Sequence, residues 1–210
     1  RPPKPYLQSV LLPHETFAAM YHHYPEQWKI RVLPSQQVLA NFHLPTNDIT
    51  GDERCYSFAR GPVRIIALDT NTWFASDQYR PDHPTQRFLV EQLRVCTEPW
   101  IVVAGHHPIR SASRAGPNGA LQSVLLPELE RQQVTLYLSG HDHCYQRFGP
   151  NQRWPVPMLV SGGGGKRLYD ITEDPRMKIG AEALHKSYHW CSAEVAGRSF
   201  RRGNCRGIGR

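Results

Sequence analysis

The nine residues from Trp100 to Pro108, WIVVAGHHP, join a short apolar run to a glycine and a pair of histidines. A continuous apolar run of this length favours a buried strand of an α/β sheet. The stretch 134–140, VTLYLSG, has the same form and is followed by His141, Asp142 and His143. Open α/β sheets gather their binding groups at the carboxyl ends of strands, so we expect these histidines to converge.

The segments around these two strands alternate in type. Residues 55–70, CYSFARGPVRIIALDT, indicate a β-hairpin that turns at 61–62. Residues 85–96, TQRFLVEQLRVC, carry apolar side chains near helical spacing and predict a helix. A second helix is predicted over 119–133, where Pro127 must bend or divide it. The alternation predicts an α/β layered fold with a partly parallel sheet.

The length and composition are those of one globular domain. The chain has 210 residues, of which 40% are hydrophobic and 20% charged. We expect a single domain over 1–210, with a poorly defined N-terminal region (1–52), a core (53–196) and a basic tail (197–210). The N-terminal region contains several prolines and one short predicted helix near 13–24.

The net charge of +7 favours anionic partners, a class that includes phosphorylated substrates and nucleic acid. Much of the excess lies in the basic tail, which we interpret as a solvated end rather than a nucleic-acid surface. The five cysteines form no CxxC pair, which argues against a zinc ribbon and supports disulfides only weakly.

No apolar run approaches the roughly 20 residues that span a bilayer, so we expect no membrane partner. The apolar run in the N-terminal sequence RPPKPYLQSVLLP is too short to indicate a signal peptide. Localisation stays open, and a secreted or periplasmic location is compatible with the sequence if a leader has been removed.

Two glycines precede the histidines and allow the backbone to turn sharply, Gly105 before His106 and Gly140 before His141. On an extended segment His141 and His143 would point the same way. A single histidine after a strand is commonly a surface or hydrogen-bonded residue, but histidines at two strand ends favour metal binding. Imidazoles are good ligands for zinc, iron, copper and nickel.

These motifs resemble those of a known family. AGHHP (104–108) followed by LSGHDH (138–143) resembles the last two metal motifs of calcineurin-like metallophosphoesterases. Together with YSFARGPVRIIALDTNTWF (56–74) and VSGGGGKRLYD (160–170), they occur in the order seen in purple acid phosphatases, including the tartrate-resistant type. The resemblance covers about Glu53 to Val195. It implies a metallophosphoesterase-like β-sandwich of mixed sheets flanked by helices, of which this chain contains the C-terminal half.

The resemblance also implies ligands. His106 would bind a divalent metal with His141 beside it, and His143 would bind the other metal, which is commonly ferric. His107 occupies a position at which the family varies, so its role is open, and support of the neighbouring ligands is one reading. The implied cofactors are two metal ions, iron with zinc, manganese or a second iron.

The remaining ligands of the family come from earlier aspartate and asparagine motifs, which this chain does not match. GDERCY (51–56) and the pair His14 and Glu15 are only partial matches, and we interpret them as coincidental. Asp69 matches a structural position, and Asp142 shapes the loop between two ligands, so neither is expected to bind metal. Three neutral imidazoles do not offset the repulsion between two cations, so these residues form half a site.

The tartrate-resistant type has a histidine, nine residues after the GH ligand, that is linked to leaving-group protonation. This chain has Ala115 there, which cannot donate a proton. Arg114 is a candidate phosphate-binding residue or an exposed loop arginine. The run SGGGGKR (161–167) is not a P-loop; it either lets the backbone approach the metals or forms a flexible loop.

One further feature is the heptapeptide LQSVLLP, which occurs at 7–13 and again at 121–127. Only the second copy lies at a family helix position. A single repeated heptapeptide is not a solenoid, because a solenoid needs at least about three repeats. Chance, partial duplication and a rearranged N-terminal region all stay open.

The sequence thus predicts a hydrolase of the acid phosphatase type, which cleaves phosphomonoesters with a metal-bound hydroxide. The expected substrates are phosphorylated small molecules or phosphoproteins. The alternatives are a non-catalytic or truncated relative that binds one metal or phosphate without turnover, a basic nucleic-acid binder, and a longer protein with further motifs outside this chain.

Overall fold

The computed structural model describes residues 43–71, 82–196, 199–202 and 206–207. The helices are α1 (Pro84–Val95), α2 (Gly119–Val124) and α3 (Leu126–Arg131). The strands are β1 (Tyr56–Arg60), β2 (Val63–Leu68), β3 (Trp100–Gly105), β4 (Leu136–Ser139), β5 (Tyr145–Phe148), β6 (Met158–Ser161), β7 (Ala181–His185), β8 (His189–Trp190), β9 (Ala193–Ala196), β10 (Ser199–Arg202) and β11 (Arg206–Gly207).

Seven strands form one mixed sheet in the order β1-β2-β3-β4-β6-β5-β7. Its four central strands β2, β3, β4 and β6 are parallel, while β1, β5 and β7 pair antiparallel with their neighbours. The layered α/β prediction and its partly parallel sheet are confirmed. The predicted hairpin is also present, since β1 and β2 pair in register from Tyr56↔Ala67 to Arg60↔Val63.

The helices form where their signals occur in the sequence. Helix α1 begins after His83, whose Nδ1 accepts the backbone N–H of Thr85 at 3.2 Å. The predicted second helix is divided into α2 and α3 at Leu125, with Pro127 in the first turn of α3, where its missing N–H costs no helix bond. The division that Pro127 predicted is therefore confirmed.

The core lies mainly between the helices and one face of the sheet. Alternate strand residues such as Val103 and Tyr137 are fully buried there against Phe88 of α1 and Leu125, which joins α2 to α3. The opposite face carries a smaller cluster around Leu136, Tyr145 and Leu159. None of the helices in the described part of the chain is long and apolar enough to cross a membrane.

Part of the tail is structured. Strand β10 pairs antiparallel with β9. Phe200 packs against the smaller cluster, and its ring lies 5.7 Å from that of Trp100. The interpretation of the tail as a solvated end did not include this strand, in which Phe200 supplies an apolar side chain that packs. Cys191 is disulfide-bonded, whereas Cys55, Cys96 and Cys144 are free. The first LQSVLLP copy and the helix predicted near 13–24 lie outside the described residues.

Candidate metal centre

The parallel pairing of β3 with β4 brings the two histidine motifs together. Gly105 is in register with Ser139 at the ends of these strands. One residue further on, the N–H of Gly140 donates to the carbonyl of His106 at 3.1 Å. The two strand ends are thus tied together at the point where both histidine motifs begin.

Three imidazoles converge at this point. Nε2 of His106 lies 3.2 Å from Nδ1 of His141, and the His107 ring centroid is 4.8 Å from that of His106 and 4.9 Å from that of His141. One ring nitrogen of each residue lies within 4.8 Å of the other two. Two nitrogens bound to one tetrahedral zinc at 2.0–2.1 Å are about 3.3 Å apart, so the separation of the His106 and His141 nitrogens suits a shared metal ion.

The convergence depends on a bent backbone after β4. Residues 141–144 form bends rather than a strand, and His141 has a φ of 62°, a conformation that non-glycine residues seldom adopt. The extended segment from which His141 and His143 were expected to point the same way is therefore not present at 141–144. Such strain persists where the surrounding structure holds it in place, and it is common at functional sites.

His143 lies apart from the three-histidine cluster. Its Nδ1 is 2.8 Å from the carbonyl oxygen of Arg167, which can only accept, so Nδ1 carries the proton and Nε2 keeps its lone pair. A backbone carbonyl in this position commonly orients a ligating imidazole. The ring also packs on Tyr169, with centroids 4.2 Å apart, and the N–H of Tyr169 donates to the His143 carbonyl at 2.9 Å.

Burial keeps His106 and His107 neutral. Burial, with a smaller effect of the neighbouring imidazoles, lowers the pKa of His106 to about 2 and that of His107 to about 3. Burial also lowers the pKa of His143, and so do the charges of Lys166 and Arg114, against the carbonyl of Arg167, which raises it. Neutral imidazole is the form that binds metal.

The two aspartates near the motifs have other partners. Asp142 is fully buried, and its Oδ2 accepts from the Ser111 hydroxyl and, at 3.2 Å, from Nε2 of Gln146. Asp69 accepts the N–H of Asn71 at 2.9 Å and pairs with Arg54 at 3.8 Å. Within the described ranges no carboxylate joins the histidine cluster.

Asp52 of the GDERCY segment is also engaged elsewhere. Its carboxylate accepts the Arg54 Nε at 2.6 Å. The Asp52 carboxylate is thus paired with Arg54 and lies outside the histidine cluster. This agrees with the interpretation of GDERCY as only a partial match to a family metal motif. The partial match at His14 and Glu15 lies outside the described residues.

The Gly-rich segment passes directly behind the histidine loop. The N–H of Gly162 donates to the Cys144 carbonyl at 3.3 Å, and a Cβ on Gly162 would lie 2.7 Å from the carbonyl carbon of Asp142. A Cβ on Gly163 would lie 2.6 Å from Cε1 of His189. Gly162 is therefore required for close packing against the histidine loop and Gly163 for close packing against His189, whereas a Cβ on Gly164 would meet open space.

Arg114 lies at the rim of the centre. Its guanidinium carbon is 4.4 Å from the centroid of the Tyr169 ring, and the same ring packs on His143. Tyr169 was not predicted as a site residue, because the only signal in the sequence was its place in the KRLYD segment. Arg110, in contrast, is buried between the rings of Phe148 and Trp154 and anchors the loop after β3.

Comparison with known proteins assigns this chain to a family. The profile of the calcineurin-like phosphoesterase family matches residues 14–145. This chain belongs to the calcineurin-like phosphoesterase family. The match begins before Glu53, so it includes the N-terminal region in which the aspartate and asparagine motifs were not found.

Its relatives include purple acid phosphatases. Purple acid phosphatase 4 of Arabidopsis thaliana is 49% identical over 90 residues, which cover 41% of this chain and 26% of the relative. Tartrate-resistant acid phosphatase type 5 of Sus scrofa is 32% identical over 125 residues, covering 54% of this chain and 33% of the relative. The resemblance drawn from the histidine motifs is confirmed.

The fold has a solved counterpart. The structure of a purple acid phosphatase from yellow lupin (Lupinus luteus) seeds matches with a TM-score of 0.69 over 83% of this chain and 34% of that one, at 16% identity. At this identity the likeness shows the fold alone. This family member spans between 26% and 34% of the length of these three proteins.

Proposed function

We propose that this chain carries the histidine part of a metal-dependent phosphomonoester hydrolase site. The observation that supports this most is the approach of His106 Nε2 and His141 Nδ1 to 3.2 Å at the ends of two parallel strands. His106 and His141 would hold one metal ion. His143, with its free Nε2 lone pair, would hold a second.

The donor set fits borderline metals. Imidazoles suit zinc and iron, whereas manganese prefers oxygen ligands. Iron with zinc, manganese or a second iron is the pair that the family implies. Bound metal ions would lower the pKa of a water ligand and neutralise phosphoryl oxygens. The uncharged imidazoles require added carboxylates before two cations can lie close together.

The chain's own residues would bind and orient the substrate. Arg114, held against the Tyr169 ring, offers a fork of donors that matches phosphate. Lys166 and Arg167 are exposed on the adjacent segment and add positive charge beside His143. This charge would attract the phosphate dianion of a phosphorylated small molecule or a phosphoprotein.

A second candidate function is binding of one metal ion or phosphate without turnover. It is favoured by the lack of a carboxylate in the histidine cluster within the described residues. A single ion held by imidazoles can bind phosphate, but it lacks the paired arrangement that clamps both the attacking and leaving oxygens.

Histidine variants test the proposal. We expect His141→Ala and His143→Ala to abolish p-nitrophenyl phosphate hydrolysis by the chain loaded with iron and zinc. His185→Ala is the matched control, because His185 is exposed and only stacks on Tyr145 at 5.9 Å. Equal losses in all three variants would contradict the proposal, and metal binding without hydrolysis by the unaltered chain would favour the second candidate.

A further inference from the structure

His107 shares the histidine cluster, but its hydrogen bonds differ from those of a ligand. Thr70 is fully buried, and its Oγ1 accepts the backbone N–H groups of His106 and His107, each at 3.1 Å. A hydroxyl oxygen has two lone pairs, so both are then used. The hydroxyl hydrogen of Thr70 must therefore be donated, and Nδ1 of His107 lies 3.0 Å away.

This arrangement fixes the tautomer of His107. Nδ1 receives the Thr70 hydrogen, so the single proton of the neutral ring is on Nε2. His143 has the opposite tautomer, because its Nδ1 donates to the Arg167 carbonyl. The Nε2 atoms of these two histidines therefore differ. Nε2 of His107 is a hydrogen-bond donor, whereas Nε2 of His143 has a lone pair.

The surroundings of His107 hold its ring in place. His107 is only 3% exposed, and its carbonyl accepts the Tyr137 hydroxyl at 2.8 Å. A Cβ on Gly105 would lie 2.7 Å from that hydroxyl and 2.8 Å from Cγ2 of Thr70, so the glycine permits both contacts. The ring cannot turn over without breaking the bond to Thr70.

We propose that His107 is a hydrogen-bond donor to a phosphoryl oxygen bound beside His106 and His141, and not a metal ligand. This inference rests on the proposed function, since it assigns a role at the same site. A metal ligand needs a nitrogen lone pair, and Thr70 already occupies the only one that the neutral His107 ring has. The other ring nitrogen, Nε2, carries the hydrogen, and a phosphoryl oxygen is an acceptor for it.

The first test is the tautomer itself. Long-range proton–nitrogen correlation spectra of the nitrogen-15-labelled, zinc-loaded chain distinguish the two tautomers, and His107→Gln assigns the His107 signal by its loss. We expect an unprotonated Nδ1 and a protonated Nε2. Thr70→Ser should keep this tautomer, and Thr70→Val, which removes the hydroxyl, should give a mixture. A protonated Nδ1 in the unaltered chain overturns the inference whatever the Thr70 variants do.

The second test separates a donor from a ligand. Zinc content and binding of inorganic phosphate are measured for His107→Leu and His107→Gln. We expect both variants to retain as much zinc as the unaltered chain. His107→Leu should weaken phosphate binding about ten- to hundredfold, as for loss of a hydrogen bond to a charged group, whereas His107→Gln, which keeps a donor, should come within about threefold.

These results are separable from failure of the proposed function. Zinc loss from His107→Leu equal to that from His141→Ala, or no phosphate binding by the zinc-loaded chain, overturns the His107 inference. Zinc and phosphate binding with the expected tautomer, but without p-nitrophenyl phosphate hydrolysis, contradicts the hydrolase alone. A chain that retains no zinc contradicts the proposed metal site, while the tautomer measurement on the metal-free chain still tests the bond from Thr70.

Discussion

At the scale of single residues, one glycine and one strained histidine shape the centre. His141 adopts a φ of 62°, at a cost of roughly 1–2 kcal/mol, and directs its ring toward His106. The close passage of Gly162 behind Asp142 supports this bend from the other side. Gly162 therefore supports the geometry without binding metal, whereas His141 both sets the geometry and would bind metal.

Gly162→Ala should disturb the histidine loop. The added methyl group would lie 2.7 Å from the carbonyl carbon of Asp142, which is backbone and cannot move aside alone. We expect a loss of about 1–3 kcal/mol in the free energy of unfolding, measured with urea, and weaker zinc binding. Gly164→Ala is the matched control, because its Cβ meets nothing within 4 Å. A Gly162→Ala variant with unchanged unfolding free energy and zinc binding would contradict this prediction, because it would show that the Gly-rich segment can move to accommodate the methyl group.

The sequence could not predict the orientation of individual side chains. The motifs located His106, His141 and His143 correctly at strand ends, but the two-residue spacing suggested that His141 and His143 point together. A positive φ at His141 leaves no mark in the sequence, because Gly140 alone explains a turn there. The contact of Thr70 with His107 joins residues that are 37 apart in the sequence, so local sequence patterns cannot predict it.

At the scale of elements, a buried polar network joins the two histidine loops. Ser111 follows β3, Asp142 follows β4, and Gln146 lies in β5; all three are at most 2% exposed. Oδ2 of Asp142 accepts from both other side chains, and Oε1 of Gln146 accepts the Ala112 N–H at 2.6 Å. The network fixes the distance between the strand ends that carry the histidines.

Ser111→Ala should loosen this network. It removes a donor to the buried Asp142 carboxylate, and an undersatisfied buried charge costs about 1–3 kcal/mol or more. We expect a fall of this size in the free energy of unfolding by urea titration. Ser123→Ala on α2 is the comparison, since Ser123 is exposed and bonds only to its own helix, and it should change stability by less than about 0.5 kcal/mol. Equal effects of the two substitutions would argue against a structural role for the network.

The elements from β1 to β4 were predicted from local signals. Pro127 divided the second helix, and Gly61 with Pro62 turned the hairpin, because each acts through its own backbone geometry. Strand β10 was not predicted because its single apolar residue, Phe200, is surrounded by arginines in the sequence. Phe200 contacts Trp100, which lies a hundred residues away in the chain. Local chemistry thus gave the order of elements from β1 to β4, while the strands after His143 and the packing partners had to come from the structure.

At the scale of the whole molecule, buried neutral histidines couple stability to pH. The pKa of His107 falls from its ordinary value of 6.5 to about 3, mainly because of burial. Between these values the unfolded chain binds more protons than the folded chain, so stability falls as the pH falls below about 6.5. The lowered pKa of His106 acts in the same direction.

The metal-free chain should therefore be less stable at about pH 5 than at about pH 7. His107 alone accounts for a loss of about 2 kcal/mol, because each pKa unit corresponds to about 1.4 kcal/mol. Urea titrations at both pH values measure the difference. His107→Leu should reduce the difference between the two pH values, and a difference unchanged by this substitution would mean that other groups cause it.

The central claim is that the histidines after β3 and β4 hold metal. The most direct measurement is the metal content per chain, by elemental mass spectrometry, after folding with iron, zinc and manganese and then desalting. We predict at least one tightly held ion, lost in His106→Ala and His141→Ala and kept in His185→Ala. Two ions would show that carboxylates outside the described cluster complete the site. An unaltered chain that retains no metal would contradict the account.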